Sequence, residues 1–169
     1  MRRPGFLDLN EVVQHPGRSV TAPVSTSLET EEDLDLTRPV VGELHAVSTG
    51  NVLVVRLECT STAVVECSRC GASTEFELEI VMTEDFTVEG IPSAYSADSY
   101  AEVECEEPDL FHGNSINLEE IVRQGVWLNM PAKPVCSGRC AEAAPSAVEQ
   151  PGGHPGLQAL REILEEGRT

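Results

Sequence analysis

The sequence predicts an α+β domain that is rich in β-strands, in which an antiparallel meander curls toward a partial barrel. Runs rich in Val and Thr, separated by turn residues, occupy much of the first ninety positions. Two of these runs alternate apolar and polar residues, the period of a half-buried strand. After position 117 the apolar residues change to helical spacing. We therefore expect one helix near residues 117–129, and a further short helix at the C-terminus.

Four segments are predicted strands: 19–29, 39–48, 52–66 and 72–88. Turn-forming residues at 15–17 and 90–93 bracket them. Because the segments follow one another with short connections, we expect each strand to pair with its neighbour in the chain. A strand of fifteen residues at about 3.3 Å each is longer than a sheet is usually wide, which is why we expect the sheet to coil.

The third and fourth strands are predicted to form a hairpin with one buried face. Their apolar faces coincide if Cys59 lies opposite Leu78. The same register places Glu58 opposite Glu79, an unfavourable pair of like charges. A β-bulge at residues 61–62 would relieve it.

The helix is predicted from both its ends. Asn117 is the expected N-cap, and Glu120, three residues later, can return a hydrogen bond in the manner of a capping box. Gly125 weakens the helix interior and Pro131 ends it. The apolar residues between them follow helical spacing: Leu118, Ile121, Val122 and Leu128.

The domain organisation follows from composition. We expect a single domain over residues 1–142, a Pro/Gly-rich linker over 143–156, and a short C-terminal helix over 157–169. The last segment is amphipathic but too short to be helical alone, so it must dock or fray.

The charge balance favours some partners over others. The 169 residues include 29 acidic and 11 basic side chains, a net charge of -18. Such a chain repels nucleic-acid phosphates and attracts basic proteins. Asp8 and Glu11 interrupt the signal-peptide-like start, and no apolar run approaches the roughly 18 residues of a membrane span. We expect a soluble, cytoplasmic protein with no membrane association.

Four of the six cysteines form two close pairs, Cys67 with Cys70 and Cys136 with Cys140. Thiolates two or three residues apart on a turn can face one ion, and two such pairs complete a tetrahedral zinc site. The alternatives are free thiols on a loop and, less favoured, a redox pair. A redox motif normally opens a helix after a strand, whereas strands are predicted on both sides of Cys67 and Cys70.

The remaining reactive side chains do not form a pattern typical of an active site. Cys59 falls on the apolar face of its strand and is predicted to be a buried filler. Cys105 lies among acidic residues, whose negative charge blunts the reactivity of a thiol and argues against a nucleophile paired with His112. His154 is an alternative to one of the four cysteine ligands, although an exposed histidine in a turn is the favoured interpretation. We therefore predict no catalytic residues and no small-molecule substrate.

Three cations accompany the cysteine pairs. Arg69 lies within the first pair, while Lys133 and Arg139 flank or lie within the second. If the pairs converge, these side chains meet. They either offset the charge of a tetrathiolate site or form a small basic surface for a partner, including an RNA phosphate.

Several sequence segments, together with their order along the chain, resemble the YceD family of bacterial proteins over residues 6–140. They are Leu57-Glu58-Cys59, Glu66-Cys67-Ser68-Arg69-Cys70-Gly71, Phe76, Phe86, Ile116-Asn117-Leu118, and the run from Leu128-Asn129-Met130-Pro131 to Cys136. Family members are associated with accumulation of large-subunit ribosomal RNA, and their genes often neighbour that of a large-subunit ribosomal protein. The resemblance implies a non-enzymatic factor in 50S assembly that binds a ribosomal protein or a pre-50S particle. The alternative is a zinc-stabilised protein-binding module unrelated to ribosome assembly.

Overall fold

A computed structural model describes residues 5–28 and 35–136. The predicted linker over 143–156 and terminal helix over 157–169 lie outside these ranges. The elements in chain order are β1 (Phe6–Asp8), α1 (Asn10–Gln14), β2 (Ser19–Thr26), β3 (Val40–Ser48), β4 (Val52–Glu66), β5 (Ser73–Gly90), β6 (Ala101–Glu104), β7 (Phe111–His112), β8 (Ser115–Asn117) and α2 (Leu118–Asn129).

The main sheet is the predicted antiparallel meander. Strands β2 to β6 lie side by side in chain order, and all four predicted strands are present, each with ends close to those expected. A second sheet of three short strands has the order β1-β8-β7. The described strands form no closed barrel, and the curling that we expected from strand length stays a prediction. None of the described helices is long and apolar enough to cross a membrane.

The β4–β5 hairpin has the predicted buried face but a different register. Cys59 lies opposite Ile80 rather than Leu78, so the strands are offset by two residues from the prediction. This offset keeps every side chain on its predicted face and places Glu58 opposite Val81, away from Glu79. Pairing continues without interruption along all of β4, so the predicted bulge at residues 61–62 was wrong. No bulge is needed once the carboxylates are apart.

The core lies between the main sheet and helix α2. Leu57 of β4 and Ile80 of β5 are fully buried, and Ile121, Val122 and Val126 of α2 are buried above the sheet. Gly125 allows this close packing, because a Cβ at that position would lie 2.9 Å from Ile80 Cγ2 and 3.0 Å from Leu57 Cδ2. The glycine that weakens the helix by propensity is therefore needed for packing.

Helix α2 begins at the predicted N-cap, but without the capping box. The Asn117 side chain accepts a hydrogen bond from the Glu119 N–H at 3.2 Å. The N–H of Asn117 donates to the Leu110 carbonyl at 2.8 Å. Because that donor already has a backbone partner, the predicted return bond from Glu120 is not made.

Two buried carboxamides bond to the backbone of β6, one at the end of α1 and one between β7 and β8. Gln14 donates to the Ala101 carbonyl at 2.6 Å and accepts from the Ala101 N–H at 3.2 Å. Asn114 accepts from the Val103 N–H and donates to the Ala101 carbonyl, both at 2.9 Å. The outer edge of β6 is thus closed by side chains that imitate a neighbouring strand.

Candidate metal centre

The first cysteine pair lies in the turn at the tip of the β4–β5 hairpin. The Cys67 N–H donates to the Ala72 carbonyl at 2.9 Å, and the Gly71 N–H donates to the Cys67 carbonyl at 2.8 Å. Gly71 adopts a φ of +70°, a conformation that disfavours other residues. These constraints fold the turn so tightly that Cys67 and Cys70 can both reach a single ion.

The segment after α2 brings Cys136 to the same tip. The Ser68 N–H donates to the Pro134 carbonyl at 2.9 Å. The Cys136 N–H donates to Cys67 Sγ at 3.4 Å, the kind of amide–sulfur bond that supports a metal-bound thiolate. A turn and a segment more than sixty residues later in the sequence therefore meet at the sulfur atoms.

The geometry of the three sulfur atoms fits a tetrahedral metal ion. All three Sγ atoms lie within 4.8 Å of one another, and those of Cys70 and Cys136 are 3.8 Å apart. Zinc–sulfur bonds of about 2.3 Å give sulfur–sulfur distances of about 3.8 Å in a regular tetrahedron. Cys67 is buried, Cys136 is half-buried and Cys70 is exposed. The set offers three ligands and is open to solvent on the side of Cys70.

The Cys70 thiol is influenced by its neighbours in opposite directions. The backbone N–H of Ala72 lowers the pKa of Cys70, whereas the Cys67 and Cys136 sulfurs, together with desolvation, raise it. The raising effects prevail, so the pKa of Cys70 lies above its ordinary value. The neighbouring sulfurs thus disfavour the Cys70 thiolate, and a divalent cation bound here would favour it.

The structure thus brings together three of the four predicted ligands. The fourth, Cys140, lies outside the described residues, as do the alternative ligand His154 and the predicted cation Arg139. Arg69 and Lys133 are exposed, and each is one residue away from an end of the Ser68–Pro134 hydrogen bond.

Cys59 and Cys105 do not belong to the cluster. Burial raises the pKa of Cys59 to about 11, although a hydrogen bond with the Glu43 backbone opposes the rise. At neutral pH this thiol is protonated, which fits its predicted role as a buried filler. Cys105 is half-buried and packs against the core.

Asn129, to which the sequence analysis assigned no role, anchors the end of α2. Its side chain donates to the Gly125 carbonyl at 2.8 Å and to the Val81 carbonyl at 3.4 Å. It also accepts from the Val81 N–H at 3.5 Å. These bonds fix the point from which the chain runs to Cys136. An asparagine at the last helical position, shortly before Pro131, was the available signal, since such residues often satisfy terminal carbonyls.

Comparison with known proteins finds relatives in mycobacteria. An uncharacterized protein of Mycobacterium tuberculosis is 29% identical over 158 residues, which is 92% of this chain and 69% of that protein. One from Mycobacterium bovis matches to the same extent. An uncharacterized protein of Mycobacterium leprae is 28% identical over 123 residues, 69% of this chain and 52% of its own length. No solved structure matches the chain significantly.

The sequence pattern of one protein family matches residues 55–155. The matched region includes most of β4, all of β5, helix α2 and both cysteine pairs. It begins later and ends later than the resemblance that we predicted over 6–140, but it contains the same motifs. The family is described as large ribosomal RNA subunit accumulation protein YceD. With well over half of its length matched, the chain belongs to the YceD family.

Proposed function

We propose that this protein is a non-enzymatic factor that supports the accumulation of large-subunit ribosomal RNA and the assembly of 50S particles in the cytoplasm. The observation that carries the proposal is the YceD match over residues 55–155, which includes the hairpin tip and the segment that meets it. It acts by binding a ribosomal component.

The charge of the chain supports a basic ribosomal protein, free or in a pre-50S particle, as the direct partner. A net charge of -18 attracts such proteins and repels RNA phosphates. Any direct RNA contact would fall to the cations Arg69, Lys133 and Arg139, of which the first two are exposed beside the hairpin tip. Few cations give few phosphate contacts, and hence weak and salt-sensitive RNA binding.

We further propose that Cys67, Cys70, Cys136 and Cys140 bind one zinc ion. The three described sulfur atoms have suitable spacing, and a zinc ion here would hold the segment after α2 against the hairpin. Elemental analysis of the purified protein should find about one equivalent of zinc. Cys67→Ser should lose it, whereas Cys105→Ser should retain it. Full zinc content in Cys67→Ser would rule out this ligand assignment.

The test of function is a sucrose gradient of ribosomal particles from cells depleted of the protein. We expect fewer 50S particles and recovery when the wild-type chain is resupplied. A normal gradient would reject the proposal and leave the zinc-stabilised protein-binding module as the better account. Capture of partners with and without ribonuclease then separates direct protein binding, which survives digestion, from capture through RNA, which does not.

A further inference from the structure

The two outermost strands of the main sheet, β2 and β6, each carry a feature that hinders the addition of a further strand. At one side, β2 contains Pro23, which lacks the N–H that a neighbouring strand would use. At the other side, Gln14 and Asn114 occupy the backbone groups of β6. Because β6 pairs only with the last four residues of β5, most of β5 has no strand on its outer side among the described residues.

The direction of the β5 backbone groups follows from two contacts. The Val81 N–H and carbonyl both bond to the Asn129 side chain, away from β4. The Val88 N–H points the opposite way, to the Asn51 carbonyl at the start of β4. Since these directions alternate along a strand, the odd-numbered residues of β5 direct their N–H and carbonyl groups outward. Val81 is therefore an outward position that a carboxamide already covers.

The next outward positions toward the hairpin tip are Glu79, Glu77 and Glu75. All three side chains are exposed, and no hydrogen bond joins their outward backbone groups to any other described residue. Asn129 shows that this edge accepts a carboxamide, the same group that a peptide backbone presents. The stretch from Glu75 to Glu79 thus has the geometry required for addition of a strand.

The side chains along this edge indicate the sequence pattern that an added strand would need. Glu75, Glu77 and Glu79 project from one face of the sheet, which favours Lys or Arg at alternate positions of the added strand. On the opposite face Phe76 is 38% exposed, and Leu128, beside Asn129, is 70% exposed. Apolar residues at the intervening positions of the added strand would cover these exposed apolar side chains. The fitting segment therefore alternates basic and apolar residues.

The two longer undescribed segments of this chain fit the edge poorly by charge, and the basic residues 1–4 are fewer than the five positions from Glu75 to Glu79. Residues 29–34 contain four acidic residues and no basic one, while residues 137–169 contain five glutamates and three arginines. Both are net acidic and would meet the glutamates with like charge.

A groove of about 860 Å³ adjoins Glu77 and Glu79 and leaves room for side chains of a partner, with Arg38 as the one cation among its lining residues. A separate basic protein is the better occupant.

We propose that the edge of β5 from Glu75 to Glu79 binds an extended segment of the basic partner, which pairs as an added antiparallel or parallel strand with alternating Lys/Arg and apolar residues. This inference rests on the proposed function for the identity of the partner as a ribosomal protein. The surface and the chemistry of the segment rest on the structure alone.

The first test uses the full-length chain and a synthetic end-blocked peptide of alternating lysine and valine. Its control peptide has the same composition with the lysines contiguous. Glu77→Pro removes the outward N–H without removing a bond to β4, so we expect about tenfold weaker binding. Glu77→Gln keeps the N–H and should lose less than about fivefold, the range of an exposed ion pair. Equal losses for the two variants, or equal binding of the two peptides, would overturn strand addition in favour of a diffuse electrostatic contact.

Amide hydrogen exchange provides a readout that needs no variant. In the free protein the amides of Glu75, Glu77 and Glu79 should exchange rapidly, while those of Leu78 and Ile80, directed to β4, should be protected. The alternating peptide should slow the first three. If they are already protected in the free full-length chain, one of its own segments covers the edge and the inference fails.

A cellular test separates this inference from the proposed function. Cells that depend on the Glu77→Pro protein should show the same 50S deficit as depleted cells, provided that the variant retains its fold and protein level. A full restoration of 50S particles would reject the edge as the working surface while leaving the assembly role intact. A lack of any deficit on depletion of the wild-type protein would reject the assembly role instead, without bearing on peptide binding.

Discussion

Replacement of Gly125 by alanine sets helix propensity against packing. In an exposed helix this change stabilises by about 1 kcal/mol, because glycine loses more backbone entropy on folding. Here the new methyl group would lie 2.9 Å from Ile80 Cγ2 and 3.0 Å from Leu57 Cδ2. Both distances are shorter than ordinary carbon–carbon contact, so α2 or its neighbours must move.

The packing cost should exceed the gain in propensity. Ile80 and Leu57 are fully buried, and the branched Cβ of Ile80 leaves its Cγ2 little freedom to turn aside. Overpacking of this kind costs about 1–3 kcal/mol. After subtraction of the propensity gain, we expect Gly125→Ala to lower the free energy of unfolding by about 1 kcal/mol, equivalent to about 2–4 °C in melting temperature.

Urea unfolding followed by circular dichroism measures the loss as a lower midpoint with an unchanged slope. Leu57→Val supplies the matched control, because it removes the Cδ2 atom that the new methyl would meet. The cost of Gly125→Ala should therefore be smaller in the Leu57→Val background than in the wild type. Displacement of α2 would also shift Asn129 and Cys136, so the zinc ion that we propose should bind less tightly. An alanine variant more stable than the wild type would refute the close-packing argument.

Three further predictions concern stability. Asn117→Ala removes the α2 N-cap and should cost about 1 kcal/mol in urea unfolding, while Asn117→Asp, which keeps an acceptor, should cost less. Gly42→Ala would place a Cβ into the Glu58 carbonyl oxygen on the neighbouring strand, and should lower the urea midpoint more than any other change proposed here; a midpoint like that of the wild type would contradict the β3–β4 register. Burial, reinforced by Glu107, raises the pKa of Glu84, so the folded state binds its proton more tightly than the unfolded state and stability falls as pH rises through that pKa. Glu84→Gln should therefore stabilise the protein at neutral pH and have no such benefit at acidic pH, as urea midpoints at the two pH values would show.

The sequence was most informative where structure is local and repetitive. Alternation over 52–66 and 72–88 predicted the longest strands and their buried face, because a strand with one face in the core must repeat every two residues. The N-cap at Asn117 was also predictable, since its signal lies within three residues of the helix start.

Features that depend on contacts between distant residues were harder to predict from the sequence. The hairpin register was displaced by two residues, because either register satisfies the same alternation and only the cross-strand charge pairs distinguish them. Elements β1, α1, β7 and β8 were missed because each has at most five residues and depends on partners distant in sequence. In β6, Ala101 and Val103 do alternate with acidic residues, but four residues are too few to separate a strand from chance.

The candidate metal site was likewise predictable in its local part and not in its long-range contacts. Spacing alone identified Cys67 with Cys70, and the three described cysteines of the predicted site do converge. The means of convergence was not predictable, because it depends on Asn129 reaching Val81 and on Ser68 bonding to Pro134. Single hydrogen bonds between distant segments produce no periodic residue pattern from which they could be predicted.

The pairing of β1 with β8 imposes an order on folding. Strands β2 to β6 each join a neighbour in the chain, so their loops close over short distances and they can assemble as synthesis proceeds. Phe6–Asp8 must wait for Ser115–Asn117, more than a hundred residues later. Residues 6–8 are thus synthesised well before the strand with which they pair, and until β8 is available a nascent chain exposes the apolar groups of Leu7 and Leu9 to chaperones and proteases.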